Sequence, residues 1–282
     1  MITPIIEKKL VCEYLDKCNY GTILFLFNHG LGDIVNFLPI VYELEKKYPS
    51  IIFQIGTRRE EFRFLDKQRI IACPKNIRPW IRTFRHIFII SYPEPVGEFE
   101  AVCKPYLCNE LEIGIENFIW EPAKIKTNNV TVKRNRVGVH MFGNSSKRKK
   151  NLDINQAELL WEAIEDMGYE PFEIHNPKYN EGKDDPLEGA APWFITRYNS
   201  TRFDNLNLSS IVSEIEKCGL FVGIDSGPLY LATALLGTER CIGLEKTRKI
   251  ERYLPIPMST ISIDVITDEL IKDSIYNKEK AL

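Results

Sequence analysis

The sequence predicts an α/β protein made of two Rossmann-like domains with a cleft between them. Three observations carry that expectation. Apolar runs lead repeatedly through small or polar turns into amphipathic helical stretches, the mark of strands alternating with helices. The alternation breaks once, over 121–136, where Glu121-Pro122 and Asn128-Asn129 sit in a polar stretch with turn residues, and then resumes. Three of the turns that follow strands carry residues suited to a ligand, at the carboxyl edge where open parallel sheets bind them. The expected domains are residues 1–125 and 126–282.

Residues 1–20 read as an amphipathic helix with Ile5, Ile6, Leu10, Val11, Tyr14 and Leu15 on its apolar face, a cover for the first sheet. Gly21 to Phe27 reads as a buried strand. It enters the loop Asn28-His29-Gly30-Leu31-Gly32-Asp33. A helix from about Ile34 to Lys47 follows, in which Pro39 implies a kink or a late start. Ser50 to Gly56 is the next strand and completes a βαβ unit. Residues 58–85 are basic: Arg58, Arg59, Arg63, Lys67, Arg69, Lys75, Arg78, Arg82 and Arg85 face only Glu60, Glu61 and Asp66. This is either a solvated helical face or a surface for an anionic acceptor or membrane. His86 to Ser91 is a further strand, and 92–122 is rich in proline and aromatic residues without a clear period.

The second series opens with a strand at Arg136 to Phe142 and the loop Gly143-Asn144-Ser145-Ser146, followed by Lys147-Arg148-Lys149-Lys150. A helix over Leu152 to Met167 has Asp153 or Asn155 as its cap. Glu170 to His175 is a strand, and 176–205 is charged and irregular. Ser209 or Ser210 caps a helix that ends at Gly219. Leu220 to Ile224 is unbroken apolar, as in a strand covered on both faces. Asp225-Ser226-Gly227 is a turn in which either Asp225 or Ser226 can cap the next helix. Pro228 suits its first position and Gly237 its end. Cys241 to Leu244 and Ile261 to Val265 read as the last strands, and Asp268 to Tyr276 as a closing helix.

Composition narrows the class. With 282 residues, 44% hydrophobic and 27% charged, the chain is globular. Two domains of about 130 residues each bury real cores. A net charge of −2 gives no signal for a nucleic-acid partner. The seven cysteines are scattered and odd in number, and no leader is evident, which points to a reducing cytoplasm. None has a His or second Cys pair at zinc spacing, so no metal site is expected. No apolar run approaches the roughly 18 residues that span a bilayer, which leaves room only for peripheral contact with the inner face of a membrane. A dehydrogenase is disfavoured because Gly30-x-Gly32 lacks a third glycine and Ile55-Gly56-Thr57 ends the next strand without an acidic residue.

Three loops can carry chemistry. Gly30-Leu31-Gly32-Asp33 places a carboxylate at a helix start; its plain structural use is a glycine turn with Asp33 as cap. Asn144, Ser145 and Ser146 followed by Lys147 to Lys150 suit a diphosphate, and are otherwise an exposed basic turn. Asp225-Ser226-Gly227-Pro228 brings free backbone N–H groups to the head of an apolar helix, where a phosphate can sit, and is otherwise an ordinary βα turn.

The stretch from Phe25 through Gly32-Asp33 and Pro39 to Tyr48-Pro49 resembles the opening of the heptosyltransferase-type glycosyltransferases of family 9. Ile211 to Leu236, with Val222-Gly223-Ile224-Asp225-Ser226-Gly227-Pro228, resembles that family's nucleotide-sugar motif. The resemblance implies a GT-B fold, with the acceptor domain first and the donor domain second. It implies inverting transfer of a sugar, heptose first among them, from a nucleotide diphosphate donor without a metal or resident cofactor. The implied donor is ADP-linked, and the implied acceptor is lipopolysaccharide or another anionic glycan or glycolipid. On that pattern Asp33 is the general base. Gly30, Gly32, Asn144, Ser145, Ser146, Lys147, Lys150, Asp225, Ser226, Gly227 and Tyr230 bind substrate. Two features depart from the family: Tyr230 stands where His is frequent, and Leu244-Glu245-Lys246-Thr247-Arg248-Lys249 replaces a Gly-Pro-Thr-Asp-Pro-like loop. They motivate a second reading, a non-catalytic nucleotide-sugar-binding protein, and a third is a sugar-nucleotide epimerase of similar shape.

Overall fold

The structure is a computed structural model that describes residues 2–4, 15–18, 20–27, 30–74, 79–80, 82–90, 122–125, 127, 130–143, 150–174, 208–246, 250 and 258–281. By their contacts these residues divide into two compact units, one reaching Ile125 and the other beginning at Thr127.

The first unit is built on five parallel strands: β1 (Ile2–Pro4), β2 (Gly21–Phe27), β3 (Ile51–Thr57), β4 (Ile70–Ala72) and β5 (His86–Ile90). Their order is β1-β5-β2-β3-β4. The chain therefore leaves β2 toward β3 and β4, then returns to lay β5 on the other side of β2. Helix α1 (Leu31–Lys47) joins β2 to β3 and buries Ile34, Val35, Phe37, Leu38, Val41 and Leu44. It carries Asp33 in its first turn and Lys46 and Lys47 in its last, matching the helix dipole. Phe25 of β2 is the centre of this core. Its ring meets Phe37 edge-on at 5.3 Å and lies stacked against Phe53 at 6.0 Å and Phe88 at 5.8 Å.

Several expectations for this unit change. Ile2–Pro4 is an edge strand paired with β5, not the start of a helix, while 5–14 lies outside the described residues. Helix α1 begins at Leu31, earlier than expected, and runs through the buried Pro39. The basic stretch is not one helical face: a 3₁₀ turn over Glu60–Phe64 precedes β4. Arg69 within it is bound at 2.8 Å to both Glu45 of α1 and Asp66. The counter-charge at Glu45, 24 residues back along the chain, was not visible in the local composition.

The second unit has the strands β6 (Lys133–His140), β7 (Glu170–Glu173), β8 (Cys218–Ile224), β9 (Cys241–Glu245) and β10 (Ser259–Ser262), all parallel, in the order β10-β9-β8-β6-β7. The described helices are α2 (Ile154–Asp166), α3 (Leu208–Glu216), α4 (Gly227–Leu236) and α5 (Asp268–Ala281). Every residue of β8 is buried, which explains its unbroken apolar sequence. A side chain at Gly138 of β6 would meet the Phe221 ring at 2.7 Å, so the bare backbone there admits the largest side chain of β8. Asp153 caps α2 by accepting the Gln156 N–H at 2.9 Å. The last strand lies at 259–262, and Ile263–Val265 is a 3₁₀ turn instead of its continuation. In each unit the connectivity reverses beside the first long strand, between β2 and β5 in one and between β6 and β8 in the other. Such reversal points open a crevice at the carboxyl ends of the strands.

Candidate functional site

In the first unit the loop after β2 ends at the reversal point. Gly30 is the N-cap of α1, with φ −73° and ψ 174°, an extended backbone open to any residue. A side chain there would lie close to the first turn of the helix. A Cβ would stand 3.3 Å from Oδ2 of Asp33. The Gly30 N–H donates to that same oxygen at 3.0 Å. Asp33, at the third helical position, thus closes half of a capping box. Among the described residues this is the one hydrogen bond of its carboxylate, and the residue remains half-buried. Gly32 is buried in the first turn of α1. A carboxylate oriented by one backbone donor, with its other oxygen uncommitted, can accept a proton from a hydroxyl brought beside it.

In the second unit Asp225 follows β8 directly, and Ser226 is the N-cap of α4. Lys150 follows the loop after β6. Its ammonium donates to the Asp225 carbonyl at 3.0 Å and also binds Oδ2 of the Asp225 carboxylate. The Tyr230 hydroxyl, one turn into α4, donates to Oδ1 at 2.6 Å. Tyr230, Asp225 and Lys150 are 5%, 8% and 12% exposed, so the cluster is held largely away from water. Asp225 is therefore bound through its side chain and does not cap α4. Ser226 makes no side-chain cap either, and its Oγ is buried with no hydrogen-bond partner among the described residues. Gly227 and Leu229 bring unpaired helical N–H groups to the head of α4, whereas Pro228 has none. An orphaned hydroxyl, free backbone donors and an ammonium at one helix start make a setting for an anion.

The loop between β6 and α2 is clasped at its base by a residue that the sequence did not single out. Asn151 accepts the Gly143 N–H at 2.8 Å and donates to the Gly143 carbonyl at 3.3 Å. Lys246, just past β9, donates to the Asn151 carbonyl at 3.3 Å. An Asn at the end of a polar loop was the only available signal. The buried His140, at the end of β6, is anchored through Nδ1 to the Ile174 carbonyl, which makes Nδ1 the protonated nitrogen.

The structure thus joins Lys150, Asp225 and Tyr230, with Ser226 and Gly227 adjoining them. Gly30, Gly32 and Asp33 lie together in the other unit. Asn144, Ser145, Ser146 and Lys147 fall outside the described residues. No cluster of three or more His, Cys, Asp or Glu side chains poised for a metal occurs among the described residues. Burial pushes the Cys218 thiol up to about 12 and raises that of Cys241, which makes both unreactive. No described helix is long and apolar enough to cross a membrane.

No family model and no curated protein sequence matches the chain. Solved structures do. A glycosyl transferase of family 9 from Veillonella parvula is 12% identical, with a TM-score of 0.64 over 93% of this chain and 98% of that one. ADP-heptose lps heptosyltransferase II of E. coli is 13% identical, with a TM-score of 0.60 over 93% and 100%. The dodecameric iron-containing heptosyltransferase TibC, in complex with ADP-D-beta-D-heptose, is 11% identical, with a TM-score of 0.65 over 93% and 77%. At these identities the likeness is one of architecture: two Rossmann-like parallel-sheet units, the GT-B fold of these transferases.

Proposed function

We propose that this protein is an inverting, metal-independent glycosyltransferase that moves a sugar from a nucleotide diphosphate sugar to a surface-glycan acceptor. Heptose from an ADP-linked donor, carried to lipopolysaccharide, is the leading assignment. The observation that carries this reading is the grouping of Lys150, Asp225 and the head of α4 at the reversal point of the second sheet. The fold shared with a heptosyltransferase that binds ADP-D-beta-D-heptose supports it.

In the proposed reaction the acceptor oxygen attacks the anomeric carbon while the bond from that carbon to the diphosphate oxygen breaks. The acceptor proton passes to Asp33, and the nucleoside diphosphate leaves with the bond's electron pair. A general base of this kind contributes about 10²–10⁴ in rate. The charge that grows on the diphosphate meets the N–H groups of Gly227 and Leu229, the Ser226 hydroxyl and the Lys150 ammonium. Lys147, Asn144, Ser145 and Ser146 are the further donors proposed for it. Fixed donors at such a place stabilise a leaving group without reorganising during the step. On this reading the protein works in the cytoplasm and meets the inner face of the membrane when the acceptor is a glycolipid.

The test is thermal unfolding with ADP, UDP, GDP, CDP and their sugars. A ligand at 100 times its Kd adds about 2.7 kcal/mol, equivalent to a rise in Tm of roughly 2–6 °C. Selective stabilisation by ADP and ADP-heptose is expected, followed by transfer to a heptose-deficient lipopolysaccharide. Folded protein that responds to no nucleotide would sink the donor-site reading. Tight binding without transfer to any acceptor would favour the non-catalytic alternative, with which the internal pairing of Lys150 with Asp225 also agrees.

A further inference from the structure

Tyr230 is the point at which this chain departs from the histidine frequent in the sequences that it resembles, and its contacts show where its hydroxyl is directed. It donates to Asp225 Oδ1 at 2.6 Å, back toward the end of β8. The other oxygen of the same carboxylate binds the Lys150 ammonium, which also takes the Asp225 carbonyl at 3.0 Å. We propose that Tyr230 is a positioning residue: it fixes the Asp225 carboxylate so that Asp225 in turn fixes the Lys150 ammonium beside the head of α4, where the donor diphosphate sits. The proposal rests on the donor-site reading given above and adds to it a residue that acts without touching the ligand.

Geometry explains why the phenol is needed. Asp225 lies between a strand and a helix and is 8% exposed, so the orientation of its carboxylate is set by protein groups. Lys150 has a long flexible stem, and the carboxylate that its ammonium meets lies 75 residues further along the chain, so this contact is set by the packing of distant elements. A carboxylate anchored on one oxygen by a hydroxyl presents its second oxygen in a single direction. The phenol is itself fixed by α4, because the Tyr230 N–H closes the first helical turn onto the Ser226 carbonyl at 3.2 Å and the Thr233 hydroxyl donates to the Tyr230 carbonyl at 2.8 Å. The line from Tyr230 through Asp225 to Lys150 thus ties the charge to the same helix whose N–H groups face the anion. A preset cation loses less freedom when the ligand arrives.

The experiment is calorimetric titration of the intact chain with the nucleoside diphosphate that stabilises it most, using wild type, Tyr230→Phe, Lys150→Met and the double variant. Tyr230→Phe keeps the ring and removes only the hydroxyl. The expected result is a Kd raised about tenfold in Tyr230→Phe, a similar rise in Lys150→Met, and little more in the double variant, since the tyrosine acts through the lysine. Tyr42→Phe, which removes a half-buried hydroxyl that bonds Asp66 at 3.5 Å in the other unit, leaves the Kd unchanged and shows that losing a phenol is not by itself the cause. A folded Tyr230→Phe with the Kd of wild type overturns the proposal, as does a fully additive double variant. If Tyr230→Phe does not fold, Lys150→Met decides alone, because an unaltered Kd there removes the cation that Tyr230 is held to position. Absence of binding by folded wild type to any of the four diphosphates overturns the donor-site reading itself, and is distinct from binding that is merely insensitive to Tyr230.

Discussion

Two aspartates occupy matching addresses in the two units and have opposite surroundings. Asp33 lies just beyond β2 and Asp225 just beyond β8, each beside the reversal point of its own sheet and each at the start of a helix. Asp33 is held by one backbone N–H. Asp225 is held on both oxygens, by an ammonium and a phenol. The difference teaches that topological position makes a carboxylate a candidate for chemistry, and its partners decide which chemistry. Asp33 keeps an oxygen on which a proton can land. Asp225 has given both to its neighbours and, on the proposal above, serves as a mount for charge.

The sharpest way to break the comparison is Asp33→Asn. The amide oxygen still accepts the Gly30 N–H, so the unfolding midpoint should barely move, while turnover falls about 10²–10⁴-fold. A variant that turns over normally would end the general-base role. Asp225→Ala should do the reverse and act first on stability. It removes the carboxylate that pairs with the Lys150 ammonium and accepts the Tyr230 hydroxyl, at a cost of about 3 kcal/mol in denaturant unfolding. If Asp225→Ala unfolds at the midpoint of wild type, the two aspartates do not differ as described.

A third measurement separates the units by acid. Burial pushes the His86 ring in β5 down to about 4. The ring is neutral in the folded first unit but takes a proton near its ordinary value, about 6.5, once unfolded. Between these values the unfolded chain binds more protons, so stability is complete above about pH 6.5 and declines as the pH drops toward 4. Denaturant unfolding followed through the first unit should lose about 2 kcal/mol between pH 7.5 and pH 5. His86→Phe should flatten that dependence. The smallest effect is expected from Gly30→Pro. A φ of −73° already suits proline, and the substitution deletes the single donor that orients Asp33. kcat should fall about tenfold with nucleotide affinity intact; a fall in affinity instead would place Gly30 in the wrong role.

The long strands were legible because burial on both faces forces continuous apolar sequence, as in Ile23-Leu24-Phe25 and Leu220 to Ile224. The loops behind them were legible because glycine, proline and small polar residues mark turns. What escaped notice depends on partners distant in sequence. β1 and β4 are three-residue edge strands, too short to show a period, and β4 is set among cations. The ion pair of Arg69 with Glu45 joins elements 24 residues apart. The residues Lys150 and Asp225 could each be named as candidates, but not their union, because nothing local in the chain records that β6 and β8 are neighbours. Asn151 was missed for the same reason: its role is defined by the Gly143 backbone that it clasps.

The insertion of β8 between β6 and β9 also has a consequence for synthesis of the chain. Seventy-five residues separate Lys150 from Asp225, so a ribosome must release most of the second unit before the ammonium meets its counter-ion. Until then β6 has β7 on one side and a bare edge on the other, open to pairing with any extended segment nearby. Prematurely terminated chains that stop before Cys218 should therefore be recovered in aggregates, and no nucleotide should rescue them, since the helix start proposed to hold the diphosphate has not yet been made.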